Sequence, residues 1–247
     1  MAPWGGATST RNLPSARREH YTAEMLYVIG GQKGGTGKTT IASNLAVAFT
    51  LAGHETVLVD TDPQLTASHW SDLRQAHGAL PPIACVQRTG NLYTALRDLE
   101  DRYAHVIVDV GGFDSVELRT ALAAADCLYS PVRASQSDLW TLEAMSRLIT
   151  QARELNEQLR AYLVLSMAPT NPAIRESQQA LELLAEYPAF SVCSSILRDR
   201  KAWRDAMSQG RGVLELLGDP KASSELSAFT REILDHESVS QAIAQAS

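Results

Sequence analysis

The chain has 247 residues, of which 45% are hydrophobic and 20% are charged, and its net charge is −6 at pH 7. This is the composition of a globular protein, and the length suits one large α/β domain. The negative net charge excludes a polycation that binds nucleic acid with its whole surface, so any DNA binding requires a local basic patch.

Local features exclude several other classes of protein. The three cysteines (Cys85, Cys127 and Cys193) lie far apart in apolar segments, which indicates buried thiols in a reducing compartment, not a disulfide framework or a paired-cysteine metal site. No apolar run approaches the roughly 18 residues that span a bilayer. The N-terminus contains arginines but lacks the apolar stretch of a secretory signal. We therefore expect a cytoplasmic protein that does not enter a membrane.

Residues 1–23 contain Gly, Pro, Ser, Thr and Arg without periodicity. We expect a flexible N-terminal tail here, and a basic arm that touches DNA or a partner is the alternative. No linker or internal repeat interrupts residues 24–247, which we assign to a single domain.

From residue 25 onward, apolar runs rich in β-branched residues alternate with segments of helical periodicity. The predicted strands are 25–29, 56–60, 83–86, 104–109, 127–129, 162–167 and 190–196. The predicted helices are 41–51, 65–77, 91–100, 115–124, 138–159, 173–186, 201–209 and 223–236, with a frayed polar end from Glu237 onward. This alternation predicts an α/β fold with a doubly wound, mainly parallel sheet and helices on both faces. Right-handed crossovers then bring the loops after residues 29, 60 and 109 to one edge of the sheet.

The loop after the first strand is rich in glycine and carries two lysines. It reads Gly30-Gly31-Gln32-Lys33-Gly34-Gly35-Thr36-Gly37-Lys38-Thr39-Thr40. A glycine loop between a strand and a helix is the context of a phosphate-binding loop, in which backbone N–H groups turn toward the anion. In such a loop Lys38 reaches the phosphates of ATP and the Thr39 hydroxyl binds Mg²⁺. The usual pattern requires a glycine at position 32, where this chain has Gln32 followed by Lys33.

Acidic residues end two of the predicted strands. Asp60 and Asp62 lie two residues apart after the second strand, a spacing that lets one carboxylate support Mg²⁺ while the other faces a water molecule. Asp109 ends an apolar strand in the manner of a Walker B motif and is expected to hold a Mg²⁺-bound water. The glycines at 111 and 112 provide a flexible turn near the terminal phosphate.

Three motifs together resemble those of the deviant Walker family of ATPases, which includes ParA, MinD, ArsA and the nitrogenase iron protein. They are K-G-G-x-G-K-T from Lys33, V-D-x-D-P-Q from Val59, and V-I-V-D-x-G-G from Val106. The D-P-Q segment is most similar to ParA-type partition proteins, and the absence of an N-terminal helix-turn-helix domain resembles the short ParF-like and VirC1-like forms. The resemblance covers residues 25–236, although Leu65 stands where many ParA proteins have glycine.

The resemblance implies a role for each motif residue. Two ATP-bound monomers face each other, and Lys33 crosses to the partner's phosphates. Asp62 orients the attacking water, and Thr39, Asp60 and Asp109 support the magnesium ion. The catalytic residues are thus expected to be Lys33, Lys38 and Asp62. The expected nucleotide-binding residues are Lys33, Gly34, Gly35, Thr36, Gly37, Lys38, Thr39, Thr40, Asp109, Met167 and Pro169.

The resemblance also implies partners. A ParA-type protein binds the nucleoid through C-terminal basic residues, and a ParB-like adaptor stimulates its slow ATPase. In this chain the candidates for non-specific DNA binding are Arg198, Arg200, Lys201, Arg204 and Arg211. A solvated helix face with Trp203 packed inward is the alternative for this segment. Many relatives carry an asparagine near the base, where this chain has Ser166-Met167-Ala168-Pro169.

We expect a ParA-type ATPase that segregates plasmid or chromosomal DNA with a centromere-bound adaptor. A positioning ATPase for a protein cargo, a VirC1-like DNA-transfer factor and a biosynthetic enzyme are the alternatives. An iron–sulfur role is disfavoured because no cysteine lies in the segment that directly follows Asp109, and a MinD-like membrane helix is disfavoured because the tail after His236 has no basic face.

Overall fold

The computed structural model describes residues 24–112, 114–171 and 176–245. These residues form a seven-stranded sheet in the order β3-β2-β4-β1-β5-β6-β7, and every neighbouring pair is parallel. The strands are β1 (Met25–Ile29), β2 (Thr56–Asp60), β3 (Ala84–Gln87), β4 (His105–Asp109), β5 (Cys127–Val132), β6 (Arg160–Ala168) and β7 (Ser191–Arg198). The predicted fold class is confirmed.

Helices cover both faces of the sheet. They are α1 (Lys38–Leu51), α2 (Thr66–Ala76), α3 (Tyr93–Glu100), α4 (Val116–Ala124), α5 (Gln136–Arg153), α6 (Glu176–Leu184), α7 (Lys201–Ser208) and α8 (Pro220–Gln245), with a short 3₁₀ turn at Val213–Glu215. Among the described helices, none is both long and apolar enough to cross a membrane. The expected tail at 1–23 and the start of the helix expected at 173 lie outside the described residues.

Several predicted elements end at different residues in the structure, strand β5 and helix α5 among them. Strand β5 continues past Tyr129 through Pro131 to Val132. Its pairing with β1 stops at Tyr129, and the longer strand is held by its pairing with β6. A proline is tolerated where no neighbouring strand needs its missing N–H. Helix α5 stops at Arg153, where the prediction continued to 159, and the Asn156 side chain then donates to the carbonyls of Leu122 and Ala125.

The apolar side chains form one core on each face of the sheet. On one face, Tyr27 and Ile29 of β1 pack with Phe49 of α1, Trp70 of α2 and Phe229 of α8. On the other face, alternate residues of the same strands pack against α3, α4 and α5. Since both faces are covered, the central strands β1, β2 and β4 are buried along their whole length, as continuous apolar runs predict.

A buried polar chain fastens the C-terminal helix to the sheet. The Tyr27 hydroxyl donates to Glu237 of α8 and lies 3.1 Å from Nδ1 of His105, whose Nε2 lies 3.0 Å from Nδ1 of His54. Tyr27 and His105 are fully or almost fully buried. The expected fraying from Glu237 onward is therefore wrong: α8 continues to Gln245, and the carboxylate of Glu237 is buried against Tyr27.

The His105 side chain predicts a pH-dependent stability. Burial, with a smaller contribution from His54, lowers the pKa of His105 from 6.5 to about 3. A histidine that is neutral in the fold and protonated in the unfolded chain makes the free energy of unfolding decrease as the pH falls from 6.5 toward 3. At about 1.4 kcal/mol per pH unit, wild-type protein should lose up to ~2 kcal/mol between pH 6.5 and 5 through this residue. His105→Gln should lose less over the same interval in urea unfolding, and equal losses in both proteins would contradict this account.

Candidate active site

The glycine loop lies at the carboxyl end of β1, and Lys38 is the first residue of α1. The Lys38 side chain is buried, and its Nζ donates to the carbonyl of Lys33 at 2.8 Å. Gly35 and Gly37 have φ angles of +72° and +88°, which favour glycine. Gly37 precedes the helix without any side-chain cap, so the first N–H groups of α1 point to where an anion would bind.

Parallel pairing brings the acidic residues to this loop. Asp109 is the register partner of Ile29 on β1 and of Asp60 on β2. The Asp109 carboxyl is buried, and burial raises its pKa to about 7, although the Thr39 hydroxyl and Lys38 act in the opposite direction. Its Oδ2 atom has no hydrogen-bond partner within the described part of the chain. The buried, incompletely partnered carboxylate beside a lysine and a threonine indicates a site for a further polar group.

Asp60 and Asp62 differ in their surroundings. Asp60 is buried, and its carboxylate accepts from Ser68 N at 2.8 Å, from Ser68 Oγ at 2.7 Å and from Asp62 N at 3.1 Å. It thereby ties the loop after β2 to the first turn of α2. Asp62 accepts from Gln64 N at 2.8 Å, and its other oxygen faces Gly111. Asp60 therefore orders the loop that carries Asp62.

The donor atoms at this edge suit a magnesium ion. Thr39 offers a hydroxyl and Asp109 a carboxylate oxygen, and hard oxygen donors are those that Mg²⁺ prefers. Among the described residues, no group of three or more His, Cys, Asp or Glu side chains could enclose a metal by itself. This fits the usual binding of Mg²⁺ by one or two protein oxygens, substrate phosphates and water.

A cleft with a volume of about 100 Å³ opens beside the loop. Its walls come from three segments: the loop and α1 (Thr36, Gly37, Thr40, Ile41), the end of β6 (Ser166, Met167), and the end of β7 with α7 (Leu197, Arg198, Asp199, Arg200, Trp203, Arg204). Thr36 Oγ1 and Trp203 Nε1 are buried without a hydrogen-bond partner in the described region. Apolar walls with a few unpaired polar atoms suit a flat heteroaromatic ring.

Comparison with known proteins identifies the family. Residues 27–213 match the model of the CobQ/CobB/MinD/ParA nucleotide-binding domain. The chain belongs to the ParA/MinD family of ATPases. This confirms the resemblance found in the motifs.

Individual relatives of the ParA/MinD family match over different lengths. The chain is 29% identical to the maintenance of carboxysome distribution protein A of Halothiobacillus neapolitanus, over 83% of this chain and 94% of the relative. It is 30% identical to the chromosome partitioning protein ParA of Myxococcus xanthus, over 51% of this chain and 57% of the relative. The structure of a substituted Cyanothece McdA in complex with ATP has the same fold, with a TM-score of 0.67 and 18% identity over 86% of this chain and 97% of that chain.

Acidic side chains pair with four of the residues predicted to bind DNA. Arg198 and Arg200 are mostly buried and both contact Glu225 of α8; the shortest distance is 2.6 Å, from Arg200. Lys201 pairs with Asp205 and Arg204 with Asp199, and both cations are largely exposed. Arg211 follows α7, with its backbone N–H donating to the carbonyl of Ala206 and its carbonyl accepting from Trp70 Nε1 of α2. Three carboxylates thus partner the four cations of residues 198–204, and DNA binding by this segment stays a prediction.

Of the two residues predicted to contact the base, Met167 lines the cleft and Pro169 does not. Met167 lines the cleft with a left-handed backbone (φ +51°), whereas Pro169 is not among the cleft residues and accepts from Arg198 Nη1 through its carbonyl. Ser166 and Leu197 also line the cleft, but they belong to none of the sequence motifs. Sequence reasoning could have found them from their positions near the carboxyl ends of β6 and β7, because ligands of such sheets bind beyond those ends.

The raised pKa of Asp109 predicts a conflict between stability and binding. An aspartate whose pKa is raised from 3.8 to about 7 destabilises the fold fully above pH 7 and progressively less as the pH falls to 3.8. Asp109→Asn should therefore make the nucleotide-free protein more stable, by more at pH 8 than at pH 5, while it weakens Mg²⁺-dependent nucleotide binding. Urea unfolding at both pH values and nucleotide titration measure the two effects. A variant less stable than wild type at pH 8 would contradict the assignment.

Proposed function

We propose that this chain is a Mg²⁺-dependent ATPase that dimerises on ATP, binds DNA non-specifically and positions a protein assembly on the nucleoid. The observation that supports it most is the convergence of Lys38, Thr39 and the unpartnered oxygen of Asp109 at one edge of the sheet. The cleft beside Thr36 adds room for the base at the same edge.

The relatives favour a protein cargo over DNA. The match to a carboxysome-distribution protein covers 83% of this chain and 94% of the relative, whereas the match to a chromosome-partitioning ParA covers about half of each. We therefore place cargo positioning ahead of the DNA segregation that the motifs first suggested. Segregation with a ParB-like adaptor is the second candidate, favoured by the Myxococcus relative.

The residues divide the chemistry of hydrolysis between them. Lys38 and the N–H groups of Gly34 to Thr40 bind the phosphates, and Thr39 and Asp109 hold the magnesium ion, with Asp60 supporting them by ordering the adjacent loop. When bound, Mg²⁺ neutralises charge on the phosphates. Asp62 orients the attacking water from a loop that Asp60 holds in place.

Lys33 has a separate role in the proposed dimer. Its carbonyl already accepts from Lys38, so its backbone is held by the phosphate loop of its own chain. We assign its ammonium group to the phosphates of the facing subunit, where a point charge would stabilise the transferring phosphoryl group.

The roles assigned to the two lysines and to Asp62 predict different defects in their variants. Lys33→Ala and Lys38→Ala should both abolish ATP hydrolysis. Asp62→Ala should stop turnover while ATP binding and ATP-dependent dimerisation persist, because Asp62 acts on the water and not on the phosphates. Phosphate release and sedimentation velocity measure these properties, with Arg147→Ala on the exposed face of α5 as the control. Hydrolysis retained in Lys33→Ala, or ATP binding lost in Asp62→Ala, would contradict the assigned roles.

DNA co-sedimentation with ADP, ATP and a slowly hydrolysed analogue, at two salt concentrations, tests the proposed function as a whole. Binding should require ATP and weaken with salt, because cations released from DNA drive it. Lys201→Ala/Arg204→Ala should bind more weakly, with a salt slope lower by about 2. Arg97→Ala, on the opposite face of the sheet, should match wild type. Absence of DNA binding in every nucleotide state would favour a biosynthetic enzyme of the same fold.

A further inference from the structure

The carboxyl end of β5 contacts the phosphate loop at two glycines. A Cβ atom at Gly31 would lie 2.9 Å from Ser130 Oγ, and a Cβ atom at Gly35 would lie 2.9 Å from Nη2 of Arg133. Arg133 is half-buried and directly follows the last residue of β5. Its guanidinium group therefore lies against the middle of the loop, close to the backbone of Gly35.

Buried contacts fix this arrangement. The Ser166 hydroxyl of β6 lies 2.9 Å from the carbonyl of Thr36 in the loop and 3.2 Å from the carbonyl of Val132, the residue before Arg133. Ser166 is 2% exposed. One buried hydroxyl can thus donate to the backbone on either side of the Gly35–Arg133 contact, at Thr36 or at Val132. This places the backbone of Arg133 beside the loop.

The strand order places Arg133 opposite the acidic residues. Strand β1 carries the loop, β4 and β2 with Asp109 and Asp60 lie on one side of it, and β5 with Arg133 lies on the other. Lys38, the first residue of α1, donates to the loop carbonyl of Lys33. A phosphate group bound over the loop would therefore have the acidic, metal-binding side on one flank and the Arg133 cation on the other.

We propose that Arg133 is a further phosphate-binding residue of this site, contacting the bound triphosphate from the β5 side of the loop. The proposal rests on the proposed nucleotide binding and adds to it a residue that none of the motifs contains. Arginine suits the role because its charge is permanent and its planar group donates to two phosphate oxygens at once. The φ angle of +72° favours glycine at position 35, and the absent side chain leaves room for the guanidinium beside the loop.

The ratio of the affinities for a slowly hydrolysed ATP analogue and for ADP tests the proposal. Both are titrated with Mg²⁺ into wild type, Arg133→Gln, Arg133→Lys and the control Arg147→Gln, whose arginine is exposed on α5. A charge-assisted contact to the triphosphate is worth about 10- to 100-fold in affinity. Arg133→Gln should weaken binding of the analogue by that factor and binding of ADP by less. The affinity ratio of Arg133→Lys should lie between those of wild type and Arg133→Gln, and Arg147→Gln should retain the wild-type ratio.

Dimerisation is removed from the comparison by repeating it in a Lys33→Ala background, where the proposed dimer contact is absent. The same change in ratio should appear there. A structural role for Arg133 would lower the melting temperature and weaken both nucleotides equally, and an unchanged ratio overturns the proposal. If Arg133→Gln does not fold, Arg133→Lys tests the proposal alone: a lower ratio of analogue affinity to ADP affinity supports it, and an unchanged ratio overturns it. Wild-type protein that binds neither nucleotide would overturn the proposed function itself.

Discussion

Strand β1 lies between β4 and β5, and its parallel register sets Ile29 beside both Asp109 and Tyr129. The glycine loop leaves β1 at this point, so groups at the carboxyl ends of the neighbouring strands lie close to it. Asp109 arrives from β4 and Arg133 from β5, and Ser166 of β6 ties the loop to the end of β5. The site depends on this register because a shift of one residue would turn these side chains to the opposite face.

The buried charged groups at the carboxyl edge of the sheet are placed to contact a ligand, and they destabilise the fold when no ligand is bound. Burial lowers the pKa of Lys38 and raises that of Asp109, which are the directions expected when charged groups leave water. Asp109 Oδ2, Thr36 Oγ1 and Trp203 Nε1 are all buried and lack partners within the described residues. Local destabilisation of this kind is typical of binding sites, where the ligand supplies the missing contacts.

The segment after β7 serves the cleft more directly than a DNA surface. Arg198 and Arg200 line the cleft while Glu225 of α8 holds them, and Trp203, another lining residue, has a buried indole N–H. The Glu225 carboxylate, which joins α8 to the end of β7, thus also shapes the wall of the nucleotide site. Of the basic residues described in this segment, Lys201 and Arg204 are the well-exposed ones, and both have acidic neighbours. Any attraction for DNA here is correspondingly weak in the single chain, and a dimer that pairs two such surfaces would strengthen it.

The sequence by itself determined the phosphate loop, the two strand-terminal aspartates, the family and the parallel α/β class, because these depend on local residue order and on periodicity. It did not determine the end of α8, since Glu237 looks like a solvated tail residue until Tyr27, 210 positions away, is seen to hold it. The same holds for the cleft walls and for Arg133. Their roles come from contacts between residues distant in the chain, which strand order and helix packing alone bring together.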